Sequence, residues 1–242
     1  KKYGADILRL WVASSDYAED LRIDHSILEQ NAESYRKIRN TFRFILGNLK
    51  DDFTPRDFKK IKPDDFPELE KLILHKLFLL NLEIKNNLKI YNFHKLQKDL
   101  LNFCALDLSS FYFDIRKDLL YCGDPKSIER RGCRTVLDIL FNCITSWLAP
   151  IICFTAEEAW QIWVENPKDS IHLKEHPKIP DSWIDIELSN KWDKIRKIRS
   201  VVLSAIEEAR NNELIKSSLQ ASPKVYLKRD EIKLFENISA EE

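Results

Sequence analysis

SILEQNAESYRKIRNTFRFILGNL, residues 26–49, is the stretch whose periodicity decides the fold. Tyr35, Ile38, Phe42, Ile45 and Leu49 recur at steps of three and four, the repeat of one helix face, so the stretch predicts a single amphipathic helix. Arg36, Arg39 and Arg43 share that spacing. At 100° per residue their stripe lies roughly 110° round from the apolar face, beside the seam such a helix buries. A stripe placed there is either a solvated basic face or a surface open to a ligand.

Working outward, the chain repeats this pattern. Residues 50–67, with Pro55, Pro63 and Pro67 among Asp and Lys, predict a loop. Leu69, Leu72, Ile73, Leu77, Leu80, Ile84, Leu88 and Tyr91 predict a second long helix, and about 25 residues at 1.5 Å each would span roughly 37 Å. A helix of that length needs partners along its whole side. Phe93, Leu96, Leu100, Phe103, Phe111, Ile115 and Leu119 supply the next one, ending near Gly123, and Phe111, Tyr112 and Phe113 are expected in the core. Pro125 predicts the start of a fourth helix that runs through Val136, Leu140 and Trp147 to Pro150. Arg130, Arg131 and Arg134 form a second basic cluster near its start, where positive charge opposes the helix dipole. That points to an anionic partner, either a phosphate or a carboxylate of the chain itself. Thr155 followed by Glu158 predicts a capping box for a short helix through Trp160 and Trp163. Residues 166–187, with Pro167, Pro177 and Pro180, predict a connection, with Trp183 as its anchor. A fifth helix from Leu188 to Ala209 follows, basic in its first half through Lys191, Lys194, Arg196, Lys197 and Arg199. Val225–Leu227 then predicts a strand.

The composition narrows the function classes. Lys plus Arg and Asp plus Glu both number 39, so the chain lacks the overall basic bias of a nonspecific nucleic-acid binder. Selective RNA contacts survive that count, because they concentrate on a few stacking and hydrogen-bonding groups. Five cysteines without a CxxC pair predict reduced, mostly buried thiols and a cytoplasmic setting. His172 and His176 have helical spacing, but Pro177 follows directly and no Cys or carboxylate pattern converges on them, so no metal is expected. No window reads as a membrane span or a signal peptide. The chain contains no Met, so Lys1 is expected not to be a natural start and the chain to be a piece of a longer one.

YGADILRLWVASSDYAEDLRI, residues 3–23, predicts a short helix capped by its own Asp6, ending in Ser14, Ser15 and Asp16, with a short strand over Leu21–Ile23. The same residues resemble the segment that follows the KMSKS loop in class I aminoacyl-tRNA synthetases, above all the isoleucyl enzymes. YRKIRNTFRFILGNL (35–49), FYFDIRKDLLY (111–121), WLAPIICFTAEEAW (147–160) and IKSSLQA (215–221) resemble that family's C-terminal half in the same order. FYFDIRKDLLY favours the isoleucyl enzymes over their valyl and leucyl relatives. Lys216 departs from the pattern, since the family places a Gly before SSL, and this puts a tight turn there in doubt.

The resemblance implies an all-α antiparallel helix bundle, the anticodon-binding domain, over residues 26–212. A stem-contact segment over 1–25 would precede it, and a partial α/β appendage over 213–242 would follow. It implies that the parent enzyme joins isoleucine to its tRNA using ATP and Mg, and that this part, a monomer, binds the anticodon stem and loop. Its RNA-binding candidates are Arg36, Arg39, Asn40, Arg43, Arg130, Arg134, Lys194 and Lys197. No HIGH-like or KMSKS-like motif and no catalytic constellation is present, so a missing N-terminal catalytic half is the expected partner. A zinc site in the parent would lie beyond this chain. The alternatives are the equivalent domain of a valyl or leucyl enzyme, or a helical scaffold that contacts only protein.

Overall fold

The structure, a computed structural model, describes residues 3–49, 61–164, 166 and 168–235. The chain divides into two compact units, Lys1–Ile184 and Asp185–Glu242. In the first unit the helices are α1 (Ala5–Ser14), α2 (His25–Leu49), α3 (Glu68–Lys89), α4 (Phe93–Asn102), α5 (Phe113–Cys122), α6 (Ile128–Leu148) and α7 (Cys153–Trp163). A π-helical segment, Phe103–Tyr112, joins α4 to α5, and 3-10 turns lie at Pro63–Asp65, Ile171–Leu173 and Asp181–Trp183. The second unit holds α8 (Ile186–Asn211), a 3-10 turn at Ser218–Gln220, the four-residue α9 (Arg229–Ile232) and a last turn at Lys233–Phe235.

The all-α antiparallel bundle expected from the sequence is present, and α6 is its centre. Fifteen of its 21 residues are buried, the signature of a helix covered on all sides, and it packs against α2, α3, α5 and α7. Phe141 shows how this works: its ring meets Phe42 of α2 edge-on at 6.1 Å, Trp160 of α7 in parallel at 6.2 Å and Trp163 edge-on at 5.9 Å. One α6 side chain therefore holds α2 and α7 side by side. Phe111, Tyr112 and Phe113 are all buried, as their apolar neighbours require, and Phe113 stacks on Phe44 at 4.1 Å.

Several local expectations give way. α6 begins at Ile128 rather than at Pro125, because Ser127 caps it by accepting from the Arg130 N–H at 3.1 Å, while Asp124 closes a turn on Lys126. The long third helix is split by the π-helical segment, where the Ser109 hydroxyl donates to the Cys104 carbonyl five residues back at 2.8 Å. Among the described residues there is no strand. Leu21 and Ile23 stay half exposed and Tyr226 is 91% exposed, with no neighbouring strand to complete a ladder. What the described residues show after 212 is thus short helical turns rather than an α/β element. Residues 50–60 of the expected loop and Pro167 of the later connection fall outside the described residues. In that connection Ile171 is the fully buried anchor and Trp183 only half-buried, although its turn lies against α3.

Two long helices end without the glycine such ends favour. After α3, the Asn92 N–H donates to the Asn87 carbonyl at 2.8 Å with Tyr91 at φ 57°. After α8, the Leu214 N–H donates to the Ala209 carbonyl at 2.9 Å with Glu213 at φ 57°. Both are Schellman closures with a side chain in the left-handed region, a conformation that costs roughly 1 to 2 kcal/mol outside Gly.

Candidate nucleic-acid interface

α2 begins where Asp24 accepts from the Ile27 N–H at 2.7 Å and from the Ser26 hydroxyl at 2.8 Å; the backbone bond first, then the hydroxyl, holds this carboxyl below its ordinary range. The buried seam of Ile38, Phe42, Ile45 and Leu49 fixes the rotation of the helix, and the basic stripe consequently emerges at its edge. Arg36, Arg39, Asn40 and Arg43 are all exposed and line one groove of about 630 Å³ together with Thr155, Glu158 and Ile162 of α7. Arg36 is tied to Glu33 at 2.6 Å. Arg39 and Arg43 have no ion-pair partner among the described residues.

The second arginine cluster is different, and the sequence expectation for it is corrected. Arg130 and Arg134 are 8% and 2% exposed, buried in the fold rather than presented to a ligand. Arg130 donates through Nε to the Leu120 carbonyl at 3.1 Å, and Arg134 through Nη2 to the Leu49 carbonyl at 2.9 Å. Those carbonyls lie in the last turns of α5 and α2, where unpaired oxygens and the negative end of the dipole favour a cation. Backbone carbonyls are thus among the partners that these two residues find inside the fold. Lys194 and Lys197 are exposed on α8, in the second unit.

The α7 side of the groove is set from a distance. Asp6 is buried, and it caps α7 rather than α1: its carboxylate accepts from the Thr155 N–H at 2.7 Å, the Thr155 hydroxyl at 2.6 Å and the Phe154 N–H at 3.3 Å. Thr155 therefore does not form the expected capping box with Glu158, which is exposed at the groove. Tyr35 of α2 completes the link, its hydroxyl 2.8 Å from that of Thr155. Arg9 of α1 adds two bonds to the α6–α7 turn, to the Ile151 and Pro150 carbonyls at 2.8 and 2.7 Å. Sequence reasoning missed the α7 wall of the groove. The cue for it is the 155, 158, 159, 162 spacing, one face of a helix that also carries the buried Trp160 and Trp163.

Further along α7, burial alone would raise the Glu157 carboxyl, but donation from Gln161, the Ser170 hydroxyl at 2.9 Å and the Ile171 N–H at 3.1 Å outweighs it and lowers the pKa. That carboxylate pins the Ile171 turn to α7. A second cavity, of about 900 Å³, lies between α1, the α3–α4 turn and the α6–α7 turn. Its walls are apolar, with Leu8, Val12, Leu88, Phe93 and Trp147 among them, and Arg9 beside it is already spent on carbonyls.

Residues 70–226 match the anticodon-binding domain of tRNA ligase. The chain belongs to that family. Over its full length it is 50% identical to an isoleucine–tRNA ligase of Pelagibacter ubique (strain HTCC1062), and over 94% of its length 45% identical to one of Agrobacterium fabrum (strain C58 / ATCC 33970). It spans 27% and 23% of those relatives, about a quarter of their length. The LeuRS–tRNA–LeuAMS ternary complex of Agrobacterium radiobacter K84 shares the fold, with a TM-score of 0.52 and 16% identity over 76% of this chain and 20% of that one. Among the described residues of this anticodon-binding domain no helix is long and apolar enough to cross a membrane, and no group of three or more His, Cys, Asp or Glu is placed to hold a metal.

Proposed function

We propose that this chain is the anticodon-binding part of an isoleucine–tRNA ligase, the longer enzyme joining isoleucine to its tRNA with ATP and Mg in the cytoplasm. Its partners are then isoleucine tRNA and the catalytic part of the same polypeptide, acting as a monomer. The division by role is a connecting segment over 1–25, the RNA-binding bundle over 26–212 and a C-terminal appendage over 213–242. The anticodon stem and loop lies along α2, against Arg36, Arg39, Asn40 and Arg43; Lys194 and Lys197 of α8, in the second unit, are separate contacts to RNA phosphate.

One observation carries this reading. Arg39 and Arg43 are exposed, lack an ion-pair partner among the described residues, and stand on a helix whose neighbouring face is immobilised in the core. Guanidinium groups held that way present flat, multi-donor surfaces at little further entropic cost. The test is a filter-binding titration with isoleucine tRNA. The Arg39→Ala, Arg43→Ala double variant is expected to bind more weakly by roughly 1 to 3 kcal/mol for each guanidinium removed, with its melting transition nearly unchanged. A phosphate contact would flatten the salt dependence and weaken all tRNAs alike, whereas a base contact would narrow the gap between the cognate tRNA and one with an altered anticodon. Unchanged affinity in the double variant returns the stripe to solvent. Isoleucine-dependent pyrophosphate exchange is expected to be absent from this chain alone.

A further inference from the structure

The α2–α7 groove carries charge of both signs. Arg39 and Arg43 stand on one wall and Glu158 on the other; all three are exposed, and Glu158 has no hydrogen-bond or ion-pair partner among the described residues. The floor between the walls is apolar, formed by the buried Phe42, Leu46 and Ala159, with the half-exposed Ile162 on the α7 side. A groove meant only for a phosphate would be lined by donors alone, because a carboxylate repels the anion and weakens every cation beside it. An apolar floor with a donor wall facing an acceptor wall instead suits a flat, polarised ring.

Among nucleobases that polarity selects one. Guanine carries N1–H and the N2 amino group side by side, a pair of donors that matches the two oxygens of a carboxylate, and its N7 and O6 acceptors suit a guanidinium. Adenine and cytosine would turn a ring acceptor toward the carboxylate next to their single amino group. Uracil offers one N–H between two carbonyls. Unpaired bases in RNA loops are read in this way, laid on a side-chain platform and bonded through their edges.

We propose that the groove takes a single unstacked guanine of the anticodon loop, with its N1–H and N2 amino edge on Glu158 and its O6 and N7 toward Arg39 and Arg43. This rests on the RNA-binding reading above, and it makes Glu158 the residue that determines which base is accepted.

The test titrates the chain with unmodified isoleucine tRNA transcripts in which each anticodon-loop guanine is replaced in turn by inosine, which lacks the N2 amino group, or by adenine. At one position inosine is expected to weaken binding by several-fold, and adenine by roughly tenfold to a hundredfold. In Glu158→Gln and Glu158→Ala that preference should shrink to within about twofold, with the melt and the salt slope unchanged. If no loop guanine matters to the unaltered chain, the proposal is overturned. It is equally overturned if the Glu158 variants tighten all transcripts alike, since the carboxylate then only repels the backbone. In both cases a weakened Arg39→Ala, Arg43→Ala variant would leave the RNA-binding reading standing, whereas unchanged affinity there would remove both.

Discussion

Two arginine clusters that each hold one i, i+3 pair and one i, i+4 pair, 36-39-43 on α2 and 130-131-134 on α6, meet opposite fates. The first lines an open groove, with two guanidinium groups unpaired among the described residues, while Arg130 and Arg134 of the second are interior and hold carbonyls in the last turns of α5 and α2. Local spacing does not separate them; the rest of each helix does. α2 has one apolar seam, so a stripe beside it reaches solvent. α6 is buried on nearly every side, and Arg130 and Arg134 in its first turns go inside with it. What such a residue finds there decides whether it is tolerated, and carbonyls at helix C-termini are one such partner. The lesson is to ask how many faces of a helix are apolar before assigning its charges to a ligand.

The contrast can be tested by removing guanidinium groups from the inside outward. The largest loss is expected at Arg116, whose Nε and Nη2 each bond Glu70 at 2.7 Å in the interior, where Tyr112 also donates at 3.0 Å. Burial pushes the Glu70 carboxyl up, and Arg116 first and then Tyr112 oppose that. Arg116→Ala leaves this carboxyl stranded and should cost about 3 to 5 kcal/mol in denaturant unfolding. Adding Glu70→Leu should recover much of the loss. If the single variant proves mild, the interior is wetter than its burial implies.

Arg134→Ala should cost roughly 1 to 3 kcal/mol, because the Leu49 carbonyl loses its donor. Any fall in tRNA affinity should follow the fraction unfolded, unlike the groove variants. A binding defect in fully folded Arg134→Ala protein would reinstate the second cluster as an RNA contact. On the open side, Arg39→Ala and Arg43→Ala should each change stability by less than about 0.5 kcal/mol. A larger loss would mean that the stripe supports the fold after all.

Thiol labelling marks the boundary between the two regions. Burial pushes the Cys104 and Cys143 thiols up to about 12 and Cys133 higher still, whereas Cys122 is exposed. One fast, one intermediate and three unfolding-limited cysteines are expected, with Cys153 the intermediate one. The smallest effect is at Glu157. Its carboxyl is lowered in the folded state, so it contributes stability that is full above the ordinary carboxylate range and is lost as pH falls from there through the lowered folded value. Glu157→Gln should flatten the acid side of the melting profile, and an unchanged profile would show that the Ile171 turn is held by packing alone.

The periodicity of α2, α3 and α6 was legible because seam residues at steps of three and four have no other use, and the same repeat put Arg39 and Arg43 at an edge. Three features were not legible. Asp6 looked like the cap of its own helix, and only the fold reveals that the N-terminus of α7, 147 to 149 residues away, reaches it. The π-helical segment left no cue, since a run as apolar as Phe103–Tyr112 reads alike at any helical pitch. The two strands were inferred from β-branched and aromatic residues alone, and propensity without a partner does not make a ladder.

The bonds that join Tyr35, Thr155 and Asp6 also have a direction. Asp6 accepts from two amides and the Thr155 hydroxyl, so that hydroxyl gives its only hydrogen away from the groove and receives one from Tyr35. Thr155 lines the groove, so whatever sits beside it meets an oxygen with lone-pair density and no proton to offer. A guest must bring the hydrogen. Proton order set by a carboxylate on α1 thus gives the Thr155 end of the α7 wall acceptor character, and Asp6→Asn would keep that order, because the oxygen that takes the Thr155 hydroxyl also takes the Thr155 N–H and cannot be replaced by an amino group.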